Sequence, residues 1–582
     1  MPRAAFPLAS VSFLLSGVAA LTYQIVWQRL LVLPLGADVY SMTLVVAAFM
    51  TGLGLGSLAG GHVADRLSPL RCVLLFIAAE ISVAAFGLAS RGIFYDWMYL
   101  RLGRVGLEPT ARAMLVFATL LWPTFWMGVS LPVLSRAIAP QIGDAARRVG
   151  MLYGLNTLGA ATGAFATTWL LFPRIGFDNS LIWAVVLNVS AALAVLPLVF
   201  IPGFIESAAP SRAPGDAADG HRSTTPGWPF AVWIALYGLA GFQALSLEII
   251  WFRLLGVMMK ASAFTFGTLL TIFLTGLGAG AAFGSRLLRN VRRPGRAFLL
   301  LQAFVGLYAG ASIMVIVTIL PSRDAASAVW SYLGGYEPVD AAAAFRAIWS
   351  PEGEERPAGP PFVRLYLTLP ALLVGPPTIA MGASFPLLQK VALVDASRIG
   401  SRVAAVLMAN IAGSALGAIL TGWLALTYLG SAGSIRMMTA IGGLFLAFAA
   451  AAGGSAGRWK MARGTGAFVV AAVAVVRLPD GRQLWAMLHG TEPHHIVQGE
   501  DATGLSLLKA TGTRGTVFVN GIGQSWIPYG GIHTVLGALP AFVHPRPETD
   551  RTPTVPPWDS TSRFTVASPR PTPGWLVFGD RM

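Results

Sequence analysis

Twelve long apolar stretches constrain this chain more than any other feature of its sequence. A bilayer core roughly 30 Å thick needs about 20 apolar residues in a helix that crosses it. Only 12% of the residues are charged, against about 25% in an average soluble protein. We therefore expect a mainly α-helical, multi-pass membrane protein with the lipid bilayer as a partner. The stretches lie near residues 8–33, 39–61, 70–90, 113–135, 150–172, 180–201, 229–257, 263–285, 297–320, 365–388, 403–427 and 434–453.

The net charge of +15 is compatible with nucleic-acid binding, but the positions of the basic residues favour a membrane topology. With the N-terminus inside, most Lys and Arg residues fall in inner loops, in agreement with the positive-inside rule. The loop that holds Arg91, Arg101, Arg104 and Arg112 is an exception. A cleaved signal peptide is not expected, because the first apolar run continues to Leu35. We expect no nucleic-acid partner, and the sequence does not indicate an oligomeric state.

The chain has one cysteine, Cys72, at the start of the third stretch. A single cysteine excludes an intrachain disulfide and a metal site built from several cysteines. We expect no metal site and interpret Cys72 as a small apolar residue.

An internal repeat is found when the sequence is aligned with itself. SGVAALTYQIVWQRLL from Ser16 aligns with AGFQALSLEIIWFRLL from Ala240 at an offset of 224 residues. PTFWMGVSLPVLSR from Pro123 aligns with PTIAMGASFPLLQK from Pro377 at an offset of 254 residues. The matched positions include Gly17 and Gly241, Gly52 and Gly276, Gly56 and Gly280, Gly60 and Gly284, Asn156 and Asn410, Gly159 and Gly413, and Gly163 and Gly417.

Each copy holds six stretches, so both halves enter the membrane in the same direction. They form a parallel repeat, as the two halves of major-facilitator transporters do. The halves are residues 1–202 and 229–457, and the linker 203–228 is rich in Pro, Ala, Ser and charge, which is typical of a flexible connector. The second half holds an additional segment, 321–364, which we expect on the outer face.

Glycines recur every four residues in the second and eighth stretches. Gly52, Gly56 and Gly60 therefore share one helix face, where backbones can approach closely. GLGSLA from Gly54 also matches a dinucleotide-binding fingerprint, but that fingerprint requires a preceding strand. We interpret these glycines as helix-packing residues.

Ionisable side chains at membrane depth cost about 2.5–3.5 kcal/mol each on insertion scales, so each is a functional candidate. The repeat places Gln24 opposite Glu248 and, with a small slip, Glu80 opposite Gln302. One interpretation is hydrogen bonding between helices, with arginines extending to the interface; the other is a transport or proton-relay site. Glu248 and Arg253 are not expected to pair, because they lie roughly 140° apart around a helix. The candidates are Gln24, Arg29, Glu80, Asn156, Glu248, Arg253 and Asn410.

The composition changes after residue 457. An apolar run near 466–476 is shorter than the roughly 17 residues that a spanning helix needs, so it is either a marginal thirteenth helix or a strand. The side of the membrane on which the tail lies depends on that choice. Short apolar runs then alternate with turn signals, including Asn520-Gly521, a dipeptide favoured in type I′ hairpins. Residues 458–548 are predicted to contain a small β meander.

VNGIGQS from Val519, YGGIH from Tyr529 and LGALPAFVHPRP from Leu536 resemble the N-terminal β domain of spermidine synthases. Together with the membrane repeat, they make the chain similar to fused major-facilitator and spermidine-synthase proteins of bacteria. The resemblance implies a multi-pass protein of the bacterial inner membrane and a polyamine aminopropyltransferase with decarboxylated S-adenosylmethionine as co-substrate. It also implies that Gln524, Tyr529 and His533 contact a polyamine or another small molecule. Without the family, Tyr529 and His533 can share a helix face in a structural role.

The family's Rossmann domain, with its glycine-rich donor loop, is not found after Glu548. Residues 549–582 are rich in proline and are predicted to be a disordered tail, which suggests a truncation or a frameshift. We therefore predict no catalytic residue, no cofactor and no aminopropyltransferase activity in this chain. The alternative function is a major-facilitator-like transporter, or a membrane scaffold with a regulatory soluble tail.

Overall fold

The computed structural model describes residues 5–35, 39–106, 108–138, 142–201, 228–260, 263–319, 327–338, 341, 345, 363–392, 399–452, 466, 472–473 and 475–527. It divides into two units, Met1–Gln524 and Ser525–Met582. The second unit is described only at residues 525–527. The predicted tail 549–582 lies outside the described residues, and so do Tyr529 and His533.

Among the described residues, eleven helical segments are long and apolar enough to cross a membrane. One of them, Ala145–Phe200, contains two helices, because the backbone is not helical at Gly176 (φ 73°). The twelve expected stretches are thus confirmed as helices. They are α1 (Ala5–Leu35), α2 (Val39–Ala64), α3 (Pro69–Arg91), α4 (Pro109–Ile138), α5 (Ile142–Phe165), α6 (Phe172–Val195), α7 (Phe230–Met258), α8 (Ala263–Leu287), α9 (Pro294–Met314), α10 (Leu369–Ala392), α11 (Ile399–Ile419) and α12 (Gly430–Ala451).

The two halves have the same internal packing, which confirms the parallel repeat. Gly56 of α2 lies against the backbone of Phe125 in α4, and Gly280 of α8 lies against the backbone of Ile379 in α10. A Cβ atom at either glycine would overlap a carbonyl oxygen, so both positions require glycine. Four further pairs of contacts correspond in the same way: Gly17–Asn156 with Gly241–Asn410, Gly52–Thr124 with Gly276–Thr378, Gly128–Leu53 with Gly382–Leu277, and Gly159–Leu14 with Gly413–Gly238.

The correspondence extends to an irregularity of the helices. After α5 the chain forms a π-helical segment, Ala166–Leu171, and after α11 it forms another, Leu420–Ala425. These two segments are equivalent in the repeat at its second offset. The shared distortion shows that the repeat specifies backbone geometry as well as side-chain packing.

The halves meet where α2 packs against α11 and α5 packs against α8. Near the inner end of the bundle, the Asp65 carboxylate accepts hydrogen bonds from the backbone N–H groups of Gly400 (2.8 Å) and Ser401 (2.9 Å). An anion at a helix N-terminus is favourable, because the unpaired N–H groups carry partial positive charge. A Cβ atom at Gly150 of α5 would overlap the hydroxyl oxygen of Ser285, near the inner end of α8. The inner ends of the two halves are therefore in close contact.

A small outer layer covers the opposite end of the second half. We use this term for the short helices Ser327–Gly334 and Gly481–Leu488 and for a sheet of four strands in the order β1-β2-β3-β4. The strands are β1 (Ile496–Glu500), β2 (Leu505–Thr511), β3 (Arg514–Val519) and β4 (Ile522–Ile527). Asn520 and Gly521 both have positive φ, 49° and 82°, as a type I′ turn requires. The predicted β meander and its hairpin turn are thus confirmed.

Contacts with the membrane helices determine the end at which the outer layer lies. Arg436, near the outer end of α12, donates a hydrogen bond to the carbonyl oxygen of Leu478 (2.7 Å), whereas α12 ends at the inner side at Ala451. Within the short apolar run near 466–476, residues 472, 473, 475 and 476 are helical. These observations favour the helix alternative. We call the end of the bundle at which α1 begins the inner end, so the outer layer lies at the opposite, outer end.

Candidate functional site: a cavity between the two halves

A cavity of about 750 Å³ lies between the two halves of the bundle. It begins at Tyr153 and Phe385 and continues outward to Leu35 and Leu426, near the outer ends of the helices. This size is typical of sites that enclose small organic molecules. Helices of both halves form its wall.

Residues at equivalent positions of the repeat line the cavity from both halves. The pseudo-two-fold axis of the protein therefore passes through it. The pairs include Phe13 and Tyr237, Gln24 and Glu248, Phe49 and Phe273, Ser130 and Ser384, and Asn156 and Asn410.

Aromatic side chains from both halves form the inner floor of the cavity. The ring centroids of Tyr153 and Phe385 lie 4.4 Å apart, and those of Phe385 and Tyr237 lie 6.4 Å apart. Further inward, the contacts at Gly150 and Asp65 hold the halves together. The cavity is thus closed at the inner end and extends toward the outer end.

Glu248 carries the only carboxylate among the described residues that line the cavity. Its side chain is partly exposed to the cavity, and within the described part of the chain it has no hydrogen-bond donor. The repeat-equivalent residue, Gln24, also lines the cavity but is neutral. Since an unpaired carboxylate in a membrane-embedded cavity is costly, a cation or a proton is the natural partner for Glu248.

Asn156 and Asn410 combine a packing role with a place in the cavity wall. The backbone of each contacts a glycine of a first helix, Gly17 in α1 and Gly241 in α7. Both asparagines also line the cavity. Their amide groups provide neutral hydrogen-bond donors and acceptors on either side of the axis.

Glu80, the second intramembrane carboxylate, lies apart from the cavity wall and inside the packing of the first half. Its side chain is 2% exposed. It accepts hydrogen bonds from Ser16 (2.8 Å), Ser130 (3.3 Å) and Asn188. Its repeat equivalent, Gln302, bonds to Ser384 (2.8 Å), which is the equivalent of Ser130. This geometry is that of an interhelical hydrogen-bond network, in agreement with the packing interpretation of Glu80.

The two intramembrane arginines lie toward the outer ends of equivalent helices. Arg29 of α1 is exposed, a position from which a long side chain can reach the interface. Arg253 of α7 donates hydrogen bonds to the carbonyl oxygens of Asp501 (3.0 Å) and Ala502 (2.6 Å). Arg253 thus joins the cavity wall to the outer sheet.

Burial lowers the pKa values of three basic groups at the outer end of the bundle, Lys260, His489 and Lys509. Lys260, which follows α7 with a φ of 56°, donates hydrogen bonds to the carbonyl oxygens of Gly335 (2.7 Å) and Glu337 (2.9 Å). Burial lowers the pKa of Lys260 to about 8. Burial also lowers the pKa of His489 to about 4, so this imidazole is neutral at neutral pH.

Of the residues taken from the spermidine-synthase resemblance, Gln524 is described and lies exposed in β4. The sheet residues that line the cavity are Thr503 and Asn520. The sequence predictions did not name these two residues as site residues, nor Tyr153 and Phe385 of the floor. Their contribution depends on contacts between the sheet and the bundle, or between the halves, that no local pattern indicates.

No family model matches the chain. No curated protein matches it. Several solved transporter structures resemble it. A bacterial homologue of the iron transporter ferroportin, in an outward-facing state with soaked iron, is 11% identical over 81% of this chain and 99% of that chain, with a TM-score of 0.47.

Two other transporters give similar values. The human organic anion transporter MFSD10 is 13% identical over 76% of this chain and 99% of that chain, with a TM-score of 0.44. The proton:xylose symporter XylE, a major facilitator superfamily protein bound to 6-bromo-6-deoxy-D-glucose, is 12% identical over 84% of this chain and 98% of that chain, with a TM-score of 0.43. Such values assign neither a substrate nor a mechanism to this chain. None of the three is a spermidine synthase, so that resemblance stays an expectation from the sequence.

Proposed function

We propose that this protein is a membrane carrier for a small organic cation, with Glu248 as the residue that binds the cation or exchanges it for a proton. The observation that carries the proposal is the cavity on the pseudo-two-fold axis, closed at the inner end, with a carboxylate in its wall that has no hydrogen-bond donor among the described residues. A carrier must expose one site to each side in turn, and two parallel repeats can do so by rocking about that axis.

The chemistry of the wall supports a cation with an apolar body. Glu248 provides negative charge, and Gln24, Asn156 and Asn410 provide neutral hydrogen-bonding groups. Arg253 also lines the cavity, and its guanidinium is bonded to the carbonyl oxygens of Asp501 and Ala502 at the outer end. The remaining surface is mainly aliphatic and aromatic, and an aromatic face also attracts an ammonium group. The resemblance to spermidine synthases implies a polyamine ligand, and a polyamine has both the charge and the methylene chain that this wall suits.

The outward-extending cavity supports a transport cycle in which the solute enters from the outer side. The inner contacts at Gly150, Ser285 and Asp65 would have to separate for release on the other side. They involve a glycine and short side chains, which suits a reversible seam, because few long side chains need to reorganise.

Uptake by purified protein in liposomes tests the proposal. The probes are radiolabelled spermidine and tetraethylammonium, with glucose as a neutral control. We expect saturable uptake of a cation that falls to the liposome background in Glu248→Gln. The matched control is Glu80→Gln, which makes the same substitution at a glutamate inside the helix packing. This variant should keep uptake. Absence of saturable cation uptake by folded protein, or equal uptake by Glu248→Gln, would contradict the proposal.

The second candidate function, aminopropyl transfer, rests on the resemblance of the β segment alone. We keep the expectation from the sequence that this activity is absent: the reaction must hold a sulfonium donor and an amine in line, with carboxylates to orient the amine, and Gln524, the implied contact that the structure describes, is exposed. The test is incubation of the purified protein with putrescine and decarboxylated S-adenosylmethionine, followed by product analysis. Spermidine formation that is lost in Gln524→Ala or Tyr529→Phe would overturn this expectation.

A further inference from the structure

The outer sheet takes part in the cavity as well as lying beside it. Thr503, in the loop between β1 and β2, and Asn520, in the turn between β3 and β4, both line the outer end of the cavity. The same two residues line a neighbouring hollow of about 290 Å³ on the sheet, together with Asp501. The sheet therefore contributes surface to the space between the halves.

Three contacts attach the sheet to the second half. Arg253 of α7 donates hydrogen bonds to the β1–β2 loop, at the carbonyl oxygens of Asp501 and Ala502. The Glu500 carboxylate accepts a hydrogen bond from the backbone N–H of Ser431 at the start of α12 (2.9 Å). A Cβ atom at Gly521 would overlap the carbonyl group of Val257, so the β3–β4 turn also lies directly against α7.

The loop that reaches the cavity has a fixed conformation. The Asp501 carboxylate accepts hydrogen bonds through Oδ1 from the backbone N–H of Thr503 (2.8 Å), the Thr503 hydroxyl (2.6 Å) and the N–H of Gly504 (3.1 Å). The Asn520 side chain accepts a hydrogen bond from the N–H of Leu505 (2.9 Å), which connects the loop to the β3–β4 turn. The loop and the turn thus form one rigid edge at the cavity.

This edge carries the Asp501 carboxylate, and the Arg253 guanidinium is bonded to the same loop. Although burial alone would raise it, the pKa of Asp501 is lowered by the hydrogen bonds from Thr503 and Gly504 and by the Arg253 guanidinium. The second carboxylate oxygen of Asp501 has no hydrogen-bond donor in the described part of the chain. Asp501, Thr503 and Asn520 line the same hollow on the sheet, and their carboxylate, hydroxyl and amide groups together suit a protonated amine.

We propose that this edge is the outer entrance of the cavity and a binding subsite for cationic groups, in which Asp501, Thr503 and Asn520 contact a solute before it reaches Glu248. The subsite rests on the proposed carrier function for its biological role. Because the sheet is attached to α7 and α12, it moves with the second half. The entrance widens or narrows as the first half moves against it.

Chemical labelling of a cysteine inside the cavity tests the entrance without any transport substrate. The reporter is Ala244→Cys, which lines the cavity four residues before Glu248. The reagents are two membrane-impermeant methanethiosulfonates, one with a trimethylammonium group and one with a sulfonate, added to the outer side of spheroplasts. The parent chain, whose Cys72 is buried, gives the background.

In the reporter background, Thr503→Trp should lower the labelling rate of both reagents several-fold, because the indole narrows the entrance. Thr511→Trp, on an exposed part of β2 outside the cavity lining, is the matched control and should leave both rates unchanged. Asp501→Asn should lower the ratio of the cationic to the anionic rate several-fold. Glu500→Ala, which releases the sheet from α12, should raise both rates and serves as a second variant if Thr503→Trp does not fold.

The outcomes separate this inference from the carrier function. Equal labelling rates in Thr503→Trp and Thr511→Trp, together with an unchanged rate in Glu500→Ala, would overturn the entrance. The carrier function would then still be decided by the measurement of cation uptake. An unchanged charge ratio in Asp501→Asn would overturn the cationic subsite. Labelling of Ala244→Cys from the inner side alone would overturn the position of the entrance. Normal entrance labelling without cation uptake would leave the entrance in place and contradict the carrier.

Discussion

The first half of the bundle has its intramembrane carboxylate inside the helix packing, whereas the second half has its carboxylate in the cavity wall. Glu80 is surrounded by three hydrogen-bond donors, and its repeat equivalent, Gln302, keeps one of those contacts. Glu248 lines the cavity, and its repeat equivalent, Gln24, is an uncharged amide. The two halves thus have the same helix packing, but their intramembrane carboxylates lie at positions that are not equivalent in the repeat.

This comparison separates two uses of a carboxylate that have the same cost in the membrane. The equivalent amides occupy similar volumes, so the repeat preserves shape at both positions. The carboxylate lies in the helix packing in the first half, at Glu80, and in the cavity wall in the second half, at Glu248. A functional site can therefore be identified by a charge that the symmetry-related position lacks, provided that it also faces open space.

The largest expected effect concerns the helix packing that the two halves share. Gly56→Leu and Gly280→Leu should both prevent folding, because each side chain would overlap the backbone of the neighbouring helix, and overpacking of this kind costs at least about 1–3 kcal/mol. Gly375→Leu is the control, since a Cβ atom there has no neighbour within 4 Å. Size-exclusion profiles and thermal unfolding in detergent measure the effect. Tolerance of only one of the two leucines would break the equivalence of the halves.

The next effect concerns the stability difference between the two carboxylates. Glu80→Ala should lower the unfolding temperature, because Ser16, Ser130 and Asn188 lose their acceptor and each unsatisfied buried group costs about 1–3 kcal/mol. Glu248→Ala should change the free energy of unfolding by no more than about 0.5 kcal/mol. Thermal scans of both variants in the same detergent make the comparison. A greater loss of stability in Glu248→Ala than in Glu80→Ala would show that Glu248, and not Glu80, has the packing role.

A charge exchange across the axis sharpens the functional side of the comparison. The double variant Gln24→Glu with Glu248→Gln keeps one carboxylate in the cavity wall at the equivalent position. We expect it to recover part of the cation uptake that Glu248→Gln loses, because the pseudo-two-fold axis places both positions in the same cavity. Uptake no higher than in Glu248→Gln would mean that the carboxylate must belong to the second half.

The smallest expected effect is a pH response of the outer layer, which only the second half carries. The pKa of His489 is about 4 in the folded chain, against 6.5 for a histidine that is not buried. Between pH 4 and pH 6.5 the unfolded chain therefore binds more protons at this residue than the folded chain does. Stability of the outer layer should therefore fall as the pH decreases from 6.5 toward 4. Hydrogen exchange of peptides from 481–511, corrected for intrinsic rates, reports this change. His489→Leu should remove the pH dependence, and an equal response in that variant would exclude His489 as its cause.

The sequence by itself determined the twelve spans, the parallel repeat and the hairpin turn. Spans follow from the length of apolar runs, because the thickness of the bilayer sets a minimum length. The repeat follows from glycines such as Gly56 and Gly280, since close helix contact admits few other residues. The turn at Asn520 and Gly521 follows from its need for positive φ at two successive residues. Each of these properties is local or has a fixed period, so it can be read along the chain.

Tertiary structure alone decided which intramembrane carboxylate faces the cavity and which lies in packing. Glu80 and Glu248 are both single acids in apolar helices, and their neighbours in sequence do not distinguish them. The donors around Glu80 come from three other helices, up to 108 residues away, and the open space beside Glu248 arises where two halves of the chain separate. The position of Thr503 in the cavity wall is also decided by tertiary structure, because it depends on how the chain returns to the outer end of the bundle. Such relations are set by the three-dimensional packing of distant segments, and a periodic pattern in sequence carries no information about them.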